Sequence, residues 1–397
     1  MNEKQKDDWD PKDTSVLEDQ RQAYDEMREK CPVAHSDFMG WSLFRHQDIT
    51  PVLSDSETYS NKSPFLAIPN GMDPPIHERY RKALAPNFAK EQMVRLEPHA
   101  RKIARDLLVP IRLDEKVEFI HAFVTPFAIK TLCTFLGWPD QQWGWISDWV
   151  HGNQQAAFNR DPSASKALAQ LFSEHVKANL DKHRASPNDA AGATGMLLRT
   201  EVDGMRLDND QIVSILRNWI AGHGTVVAGL SILLFHLAQD PKLQAQLRNH
   251  PSLIPMAIEE ILRADGPLVA NRRVTTREVK IAGRTIPQGE NVSLMWIAAN
   301  RDPHAFDEPN AIKIERDTKN SLVWGQGIHL CLGAPLARLE MRVALEELLS
   351  QIKYFELVGD NQRRAVYPSN GFVTLFLRLC KSYPTEISCG TEAGSHK

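Results

Sequence analysis

The segment 322–338, LVWGQGIHLCLGAPLAR, places Cys331 among Gly325, Gly327 and Gly333, directly before an amphipathic stretch. Three glycines this close to one sulfur make a tight loop whose amide N–H groups can turn inward. Amides aimed at a thiolate, with a helix N-terminus beside it, lower its pKa and keep it ionised. Such a thiolate can serve a metal, a heme iron or an electrophilic substrate. Zinc needs three or four ligands, and the only His close by is His329. A nucleophilic cysteine needs a His base and an orienting group, which a glycine loop does not supply. Axial ligation of heme iron needs one thiolate, a flat apolar slot and cations for the carboxylates, all of which the chain can provide. A buried, inert cysteine in a glycine turn is the plain alternative.

A second chemical feature lies in the run NWIAGHGTVVAGLSILLFHLAQ, which has no Asp, Glu, Lys or Arg from Asn218 to Gln239. Its length, about 20 residues, is that of a membrane span. It nevertheless holds His223, His236 and Gln239, sits mid-chain and has no second of its kind, so it reads as the buried central helix of a large soluble protein. Asp208 can cap it, supported by Gln211, and Asp240-Pro241 stops it, giving a helix over 209–240 that is roughly 50 Å long. Gly222-His223-Gly224-Thr225 lies inside that helix. Two glycines cost about 1 kcal/mol each there, and a Thr hydroxyl can take a carbonyl from the ladder, so a local opening is expected.

The elements around these residues are mostly helical. Residues 1–30 form a charged extension ending in a short helix; 41–60 suggest a strand and a short helix; 63–75 read as a Pro/Gly-rich loop exposing Phe65, Leu66 and Ile68. Helix dominates through 185, and two more helices are expected over 242–249 and 252–264. The period then changes: 274–300 reads as a small sheet of hairpins. Helix returns over 336–351, and the chain ends in strand, turn, strand. The fold class is mainly α with a minor β region, and no linker divides the 397 residues, so one large domain over 1–397 is expected. Aromatics spaced through 137–160 read as core. With a net charge of -3 and 42% hydrophobic residues, neither disorder nor nucleic acid binding is suggested. Five unladdered cysteines and an acidic N-terminus indicate a reduced, cytoplasmic compartment with no membrane attachment.

The run Trp324-Gly325-Gln326-Gly327-Ile328-His329-Leu330-Cys331-Leu332-Gly333 resembles the heme-ligand signature of the cytochromes P450, with Trp324 where that family normally has Phe. The added indole N–H can donate toward the thiolate. Glu260-Ile-Leu-Arg263 is similar to the family's Glu-x-x-Arg scaffold pair, completed by Asn300-Arg-Asp-Pro303 and Phe306. The run 73–81, DPPIHERYR, resembles the helix beside the heme. The resemblance implies a P450 fold and heme b, with Cys331 as axial ligand. It further implies that His77, Arg81, Arg273 and His329 bind the heme carboxylates, and that Gly222 to Thr225 lie at the oxygen-binding kink.

The acid that usually precedes this Thr is replaced by Gly224, which leaves Thr225, with His223 or a substrate group, to deliver protons. Glycine removes volume as well as charge, and the expectation is that substrate occupies the space. By register, the substrate pocket takes Phe65, Leu66, Ile68, Trp219, Leu268, Val269 and Phe372. The implied activity is insertion of one oxygen atom from dioxygen into a small to medium hydrophobic molecule by a monomeric enzyme. Its electrons come from a separate ferredoxin or flavodoxin with its reductase, docking on a cationic face that includes Arg338, Arg342 and 79–82. Gly224 keeps open an atypical oxidation that is peroxide-driven, coupling, or assisted by a substrate proton.

Overall fold

The computed structural model describes residues 7–185 and 192–382; Cys389 lies outside them. A helix of 31 residues, Asn209–Gln239, runs through the middle. Its start is fixed by reciprocal bonds: the Gln211 N–H donates to Asp208 Oδ1 at 2.8 Å, and the Asp208 N–H donates to Gln211 Oε1 at 2.9 Å. Among the described residues this is the one helix long and apolar enough to cross a membrane. Helices Thr125–Leu136, Trp143–Asn159, Pro162–Ala185, Ile254–Ala264 and Ala334–Gln351 all pack on it, so core burial accounts for its composition. The expected opening at Gly222 to Thr225 is not present. The helix is unbroken, and no described group hydrogen-bonds the Thr225 hydroxyl, so no carbonyl is drawn out of the ladder.

The largest sheet has five strands in the order Val33–Ser36, Gly40–Leu43, Asn291–Met295, Ala270–Thr275, Tyr59–Ser60. Asn291–Met295 is parallel to Gly40–Leu43 and antiparallel to Ala270–Thr275. Residues 296–300, read from sequence with the hairpins, are helical instead. Ile-Ala-Ala-Asn has no alternation to hold a strand, and alanine favours helix. Trp138 and Trp149 are core, as the spacing through 137–160 predicts, with Trp143 and Trp145 packed against it.

Between helix Ile254–Ala264 and the cysteine loop lies a buried polar hub. Arg263 grips Glu260 with two bonds, Nε to Oε2 at 2.8 Å and Nη2 to Oε1 at 2.9 Å, and both side chains are wholly buried. Arg263 Nη1 also donates to the carbonyls of Asn300 and Pro309 at 2.8 Å, and Phe306 lies beside its guanidinium. Asn300 Oδ1 then accepts the Leu322 N–H at 2.7 Å, which anchors the first residue of the cysteine loop to the hub.

Candidate active site

The loop shape follows from its glycines. Gly325 and Gly327 have φ of +72° and +70°, and a Cβ on Gly327 would stand 2.6 Å from the Leu53 carbonyl oxygen. The Cys331 N–H donates to the Trp324 carbonyl at 2.8 Å, closing the loop, and helix Ala334–Gln351 starts immediately beyond Gly333. The Cys331 sulfur faces a cavity of about 530 Å³. Burial pushes its thiol pKa up, while the Gly333 and Ala334 N–H groups and the Arg81 and Arg338 charges pull it down.

Opposite this sulfur the cavity is bounded by the central helix through Trp219, Ala221, Gly222, His223, Thr225 and Val226. Phe88 and Phe135 complete an aromatic wall with Trp219, the Phe88 and Trp219 rings meeting edge to face at 5.0 Å. Phe88 and Phe135 escaped the sequence reading, because core aromatics on helices carry no mark of a ligand wall.

One side of the cavity is basic. Arg81, Arg273 and His329 line it, and His77 stands behind with its ring 4.2 Å from that of His329. His77 is almost wholly buried, yet among the described residues neither ring nitrogen has a partner, and His329 Nε2 is likewise orphaned. Among the described residues the buried Arg273 guanidinium donates only to the Arg272 carbonyl, at 2.8 Å, and Arg81 to the Leu330 carbonyl. Burial, reinforced by His77, Arg273 and Arg81, pushes His329 down to about 3 and, with Asp73 opposing it, Arg273 down to about 10. Buried donors without an acid are costly. A group carrying two carboxylates and a metal for the sulfur fits this donor set, as heme does.

The other sequence-predicted residues divide. Trp219 and Leu268 line the cavity. Phe65 and Leu66 do not: they are 69% and 45% exposed on the loop surface, the chain there turning Ile68 inward instead. Ile68 is buried beside the central helix, where its N–H donates to Ser214 Oγ. Val269 is buried in the cluster with Trp9, Tyr24 and Phe44, and Phe372 stacks on Phe235 at 4.4 Å, so neither reaches the cavity. Gly224 is also absent from the lining. A Cβ there would meet Gln154 Nε2 at 2.6 Å and Val150 Cγ1 at 3.1 Å, so its side-chain position lies under helix Trp143–Asn159 and substrate does not occupy it.

His223 turns toward helix Ala334–Gln351. Its Nε2 lies 3.1 Å from Glu340 Oε1 and its Nδ1 3.3 Å from the Trp219 carbonyl. Glu340 is fully buried, its Oε2 has no partner, and burial raises its pKa against the pull of His223. Sequence reasoning missed it; the available signal was an acid on the apolar face of a helix, between Leu336 and Ala344. The Trp324 indole does not donate toward the sulfur. It donates to Glu259 Oε2 at 2.8 Å, because Glu259 stands on the adjoining helix and also accepts from Arg338 Nε at 2.7 Å.

The cations expected to form an electropositive docking face are largely neutralised: Arg338 by Glu259, Arg342 by Glu97 and Glu346, and Arg79 by Asp203.

Comparison with known proteins adds an independent line. The cytochrome P450 family model matches residues 128–376. The cyclomarin C epoxidase CymV of Salinispora arenicola is 31% identical over 356 residues, covering 84% of this chain and 89% of that protein. The erythromycin C-12 hydroxylase of Saccharopolyspora erythraea is 31% identical over 353 residues, covering 85% and 88%. A mutant of P450 EryK in complex with erythromycin B superposes with a TM-score of 0.84 at 28% identity, covering 92% of this chain and 97% of that one. A glycine-shaped cysteine loop, a buried basic donor set with orphaned nitrogens and likeness over most of the chain to a hydroxylase and an epoxidase agree, and the chain belongs to the cytochrome P450 family of heme monooxygenases.

Proposed function

We propose that Cys331 is the axial ligand of heme b and that Arg81, Arg273, His77 and His329 hold its carboxylates. The observation that carries this reading is the juxtaposition of the Cys331 sulfur with buried, unpartnered donors around one cavity. Two carboxylates placed there would accept from the ring N–H groups of His77 and His329 and restore charge balance around Arg273. Heme bound in this way supplies the dioxygen and electron chemistry by which one oxygen atom enters a C–H bond or an alkene.

The chain's own groups do the rest. The Gly333 and Ala334 amides and the Arg81 charge oppose the burial that pushes the Cys331 thiol up, and a bound metal would draw the sulfur further toward the thiolate. Trp219, Phe88, Phe135 and Leu268 exclude water and hold an apolar substrate of small to medium size. The Thr225 hydroxyl, free of any described partner, can orient water and pass a proton at Oγ1. The neutral carboxamide of Gln154 occupies the space that an acid at Gly224 would take, so the missing acid does not enlarge the cavity. That favours ordinary oxygenation over a substrate-assisted route.

Electrons come from a separate ferredoxin or flavodoxin with its reductase. A groove beside Trp324, lined by Met93, Val94, Met256, Glu259, Arg338 and Arg342, lies on the thiolate side of the molecule and offers it an apolar floor with a charged rim. The enzyme works as a cytoplasmic monomer. The test is oxidation of an apolar probe by the purified, heme-loaded chain with a ferredoxin pair and NADH. Product carrying one oxygen atom from labelled dioxygen supports the reading, and product formed equally well without dioxygen contradicts it.

A further inference from the structure

Arg272 lines the cavity and is itself exposed. Its Nη2 donates to the Phe38 carbonyl and to the Tyr367 hydroxyl, each at 3.3 Å. Phe38 sits in the turn between strands Val33–Ser36 and Gly40–Leu43, and two more cations gather on its ring. Lys12 Nζ is 4.3 Å from the ring centroid, and the Arg160 guanidinium is 4.7 Å away. Arg160 caps the C-terminus of helix Trp143–Asn159 and donates to the carbonyls of Asp37 and Phe38. The Tyr367 ring packs edge-on against Phe38 at 5.3 Å.

Three cations thus converge on Phe38, two over its ring and one on its carbonyl, and among the described residues the contacts of their side chains are with neutral groups: carbonyls, ring faces and a phenol. Among the described residues none of the three is in an ion pair, whereas Arg79, Arg338 and Arg342 each have a carboxylate. Like charges held this close repel, and an anion placed among them relieves the repulsion. The same cavity carries apolar and aromatic wall residues, among them Leu268, Trp219, Phe88 and Phe135. A ligand complementary to both ends has one negative group and an apolar body.

We propose that Arg272 and Tyr367, backed by Arg160 and Lys12, bind the carboxylate of the substrate, and that the substrate is a free apolar monocarboxylic acid. The acid group stays at the mouth, and the body runs inward past Leu268 toward Trp219. Tyr367 accepts from Arg272, which leaves its own O–H to donate to a carboxylate oxygen. Arg272 has further N–H groups beyond those on Nη2, enough for a second, charge-assisted bond. Arg160 and Lys12 act by field alone, so their contribution is reduced by salt. The inference rests on the heme monooxygenase reading only for where oxidation falls, away from the acid end.

The test is a spectral titration of the heme-loaded, full chain with matched carboxylates and primary alcohols from decyl to hexadecyl. At low salt, at least one carboxylate should bind about tenfold more tightly than its alcohol, equivalent to about 1.4 kcal/mol. That preference should shrink when ionic strength is raised to about 0.5 M, where the screening length is a few ångströms. Arg272→Gln should remove the preference with an effect on alcohol affinity of less than about twofold, and Tyr367→Phe and Arg160→Gln should each reduce it severalfold. Alcohols binding as tightly as carboxylates across the series, or no carboxylate binding at all, overturns the proposal. If Arg272→Gln fails to fold, an unchanged preference in both Tyr367→Phe and Arg160→Gln overturns it equally. Failure of the heme reading would appear separately, as loss of the thiolate-type carbon monoxide spectrum in the unaltered protein.

Discussion

Replacing Glu340 with leucine takes away the only partner that His223 Nε2 has among the described residues, 3.1 Å away at Glu340 Oε1 in a site where both side chains are buried. Leaving an imidazole nitrogen orphaned costs about 1–3 kcal/mol, and leaving an uncompensated charge costs about 3–5 kcal/mol. A loss of about 2 kcal/mol is expected for Glu340→Leu. Glu340→Gln keeps a hydrogen bond to the ring and should lose less than about 1 kcal/mol near neutral pH. The pH dependence distinguishes the two further. Burial raises the Glu340 carboxyl above its unfolded value, so between the unfolded and folded pKa the native state holds a proton that the unfolded chain releases. The stability from this group is therefore full below the unfolded pKa and is lost as pH rises through the folded one. Wild type should weaken with rising pH relative to Glu340→Gln, which has nothing to titrate there. Urea unfolding of the heme-loaded proteins, followed by far-ultraviolet circular dichroism at several pH values, measures all of this. A wild-type midpoint for Glu340→Leu, or equal destabilisation by Gln and Leu, refutes the reasoning.

Gly224→Ala should leave substrate affinity within about twofold of wild type and change stability by less than about 1 kcal/mol, since helix propensity gains while Gln154 must move its amide end; a tenfold affinity loss by spectral titration would return Gly224 to the cavity. Asp265 is fully buried and accepts from Arg364, His236, Arg21 and Asn370, which outweigh burial and hold its carboxyl well below the usual range. Asp265→Asn should cost about 3–5 kcal/mol near neutral pH. The wild-type advantage should be lost as pH falls below the ordinary carboxylate range toward the depressed folded value, which chemical unfolding on a pH series checks. Trp324→Phe removes the bond to Glu259 and keeps an aromatic ring on the cavity, so the carbon monoxide spectrum should keep its thiolate-type position while stability falls by about 1 kcal/mol.

What the sequence made legible was local. The glycines around Cys331 read as a tight loop because left-handed φ at Gly325 and Gly327 demands them. The Asp208 and Gln211 spacing marked the start of the central helix because a capping box is a three-residue device. Partnerships across the chain were not legible. Nothing in periodicity pairs His223 with a carboxylate 117 positions away, or aims the Trp324 indole at Glu259, 65 positions back. The direction of Gly224 was missed because a glycine has no side chain to show which helix face it serves. Phe65 and Leu66 were assigned to the pocket by register, but the backbone of a Pro/Gly-rich loop decides which way its apolar residues point, and here it buries Ile68.

The central claim is that Cys331 is the charged ligand of heme iron, and the reduced carbon monoxide spectrum of wild type and Cys331→Ala tests it most directly. Wild type should show the Soret band at the position diagnostic of thiolate ligation, and Cys331→Ala, reconstituted with the same heme, should lack it. A thiolate-type band that survives in Cys331→Ala contradicts the account, as does a wild-type protein that binds heme without ever showing that band.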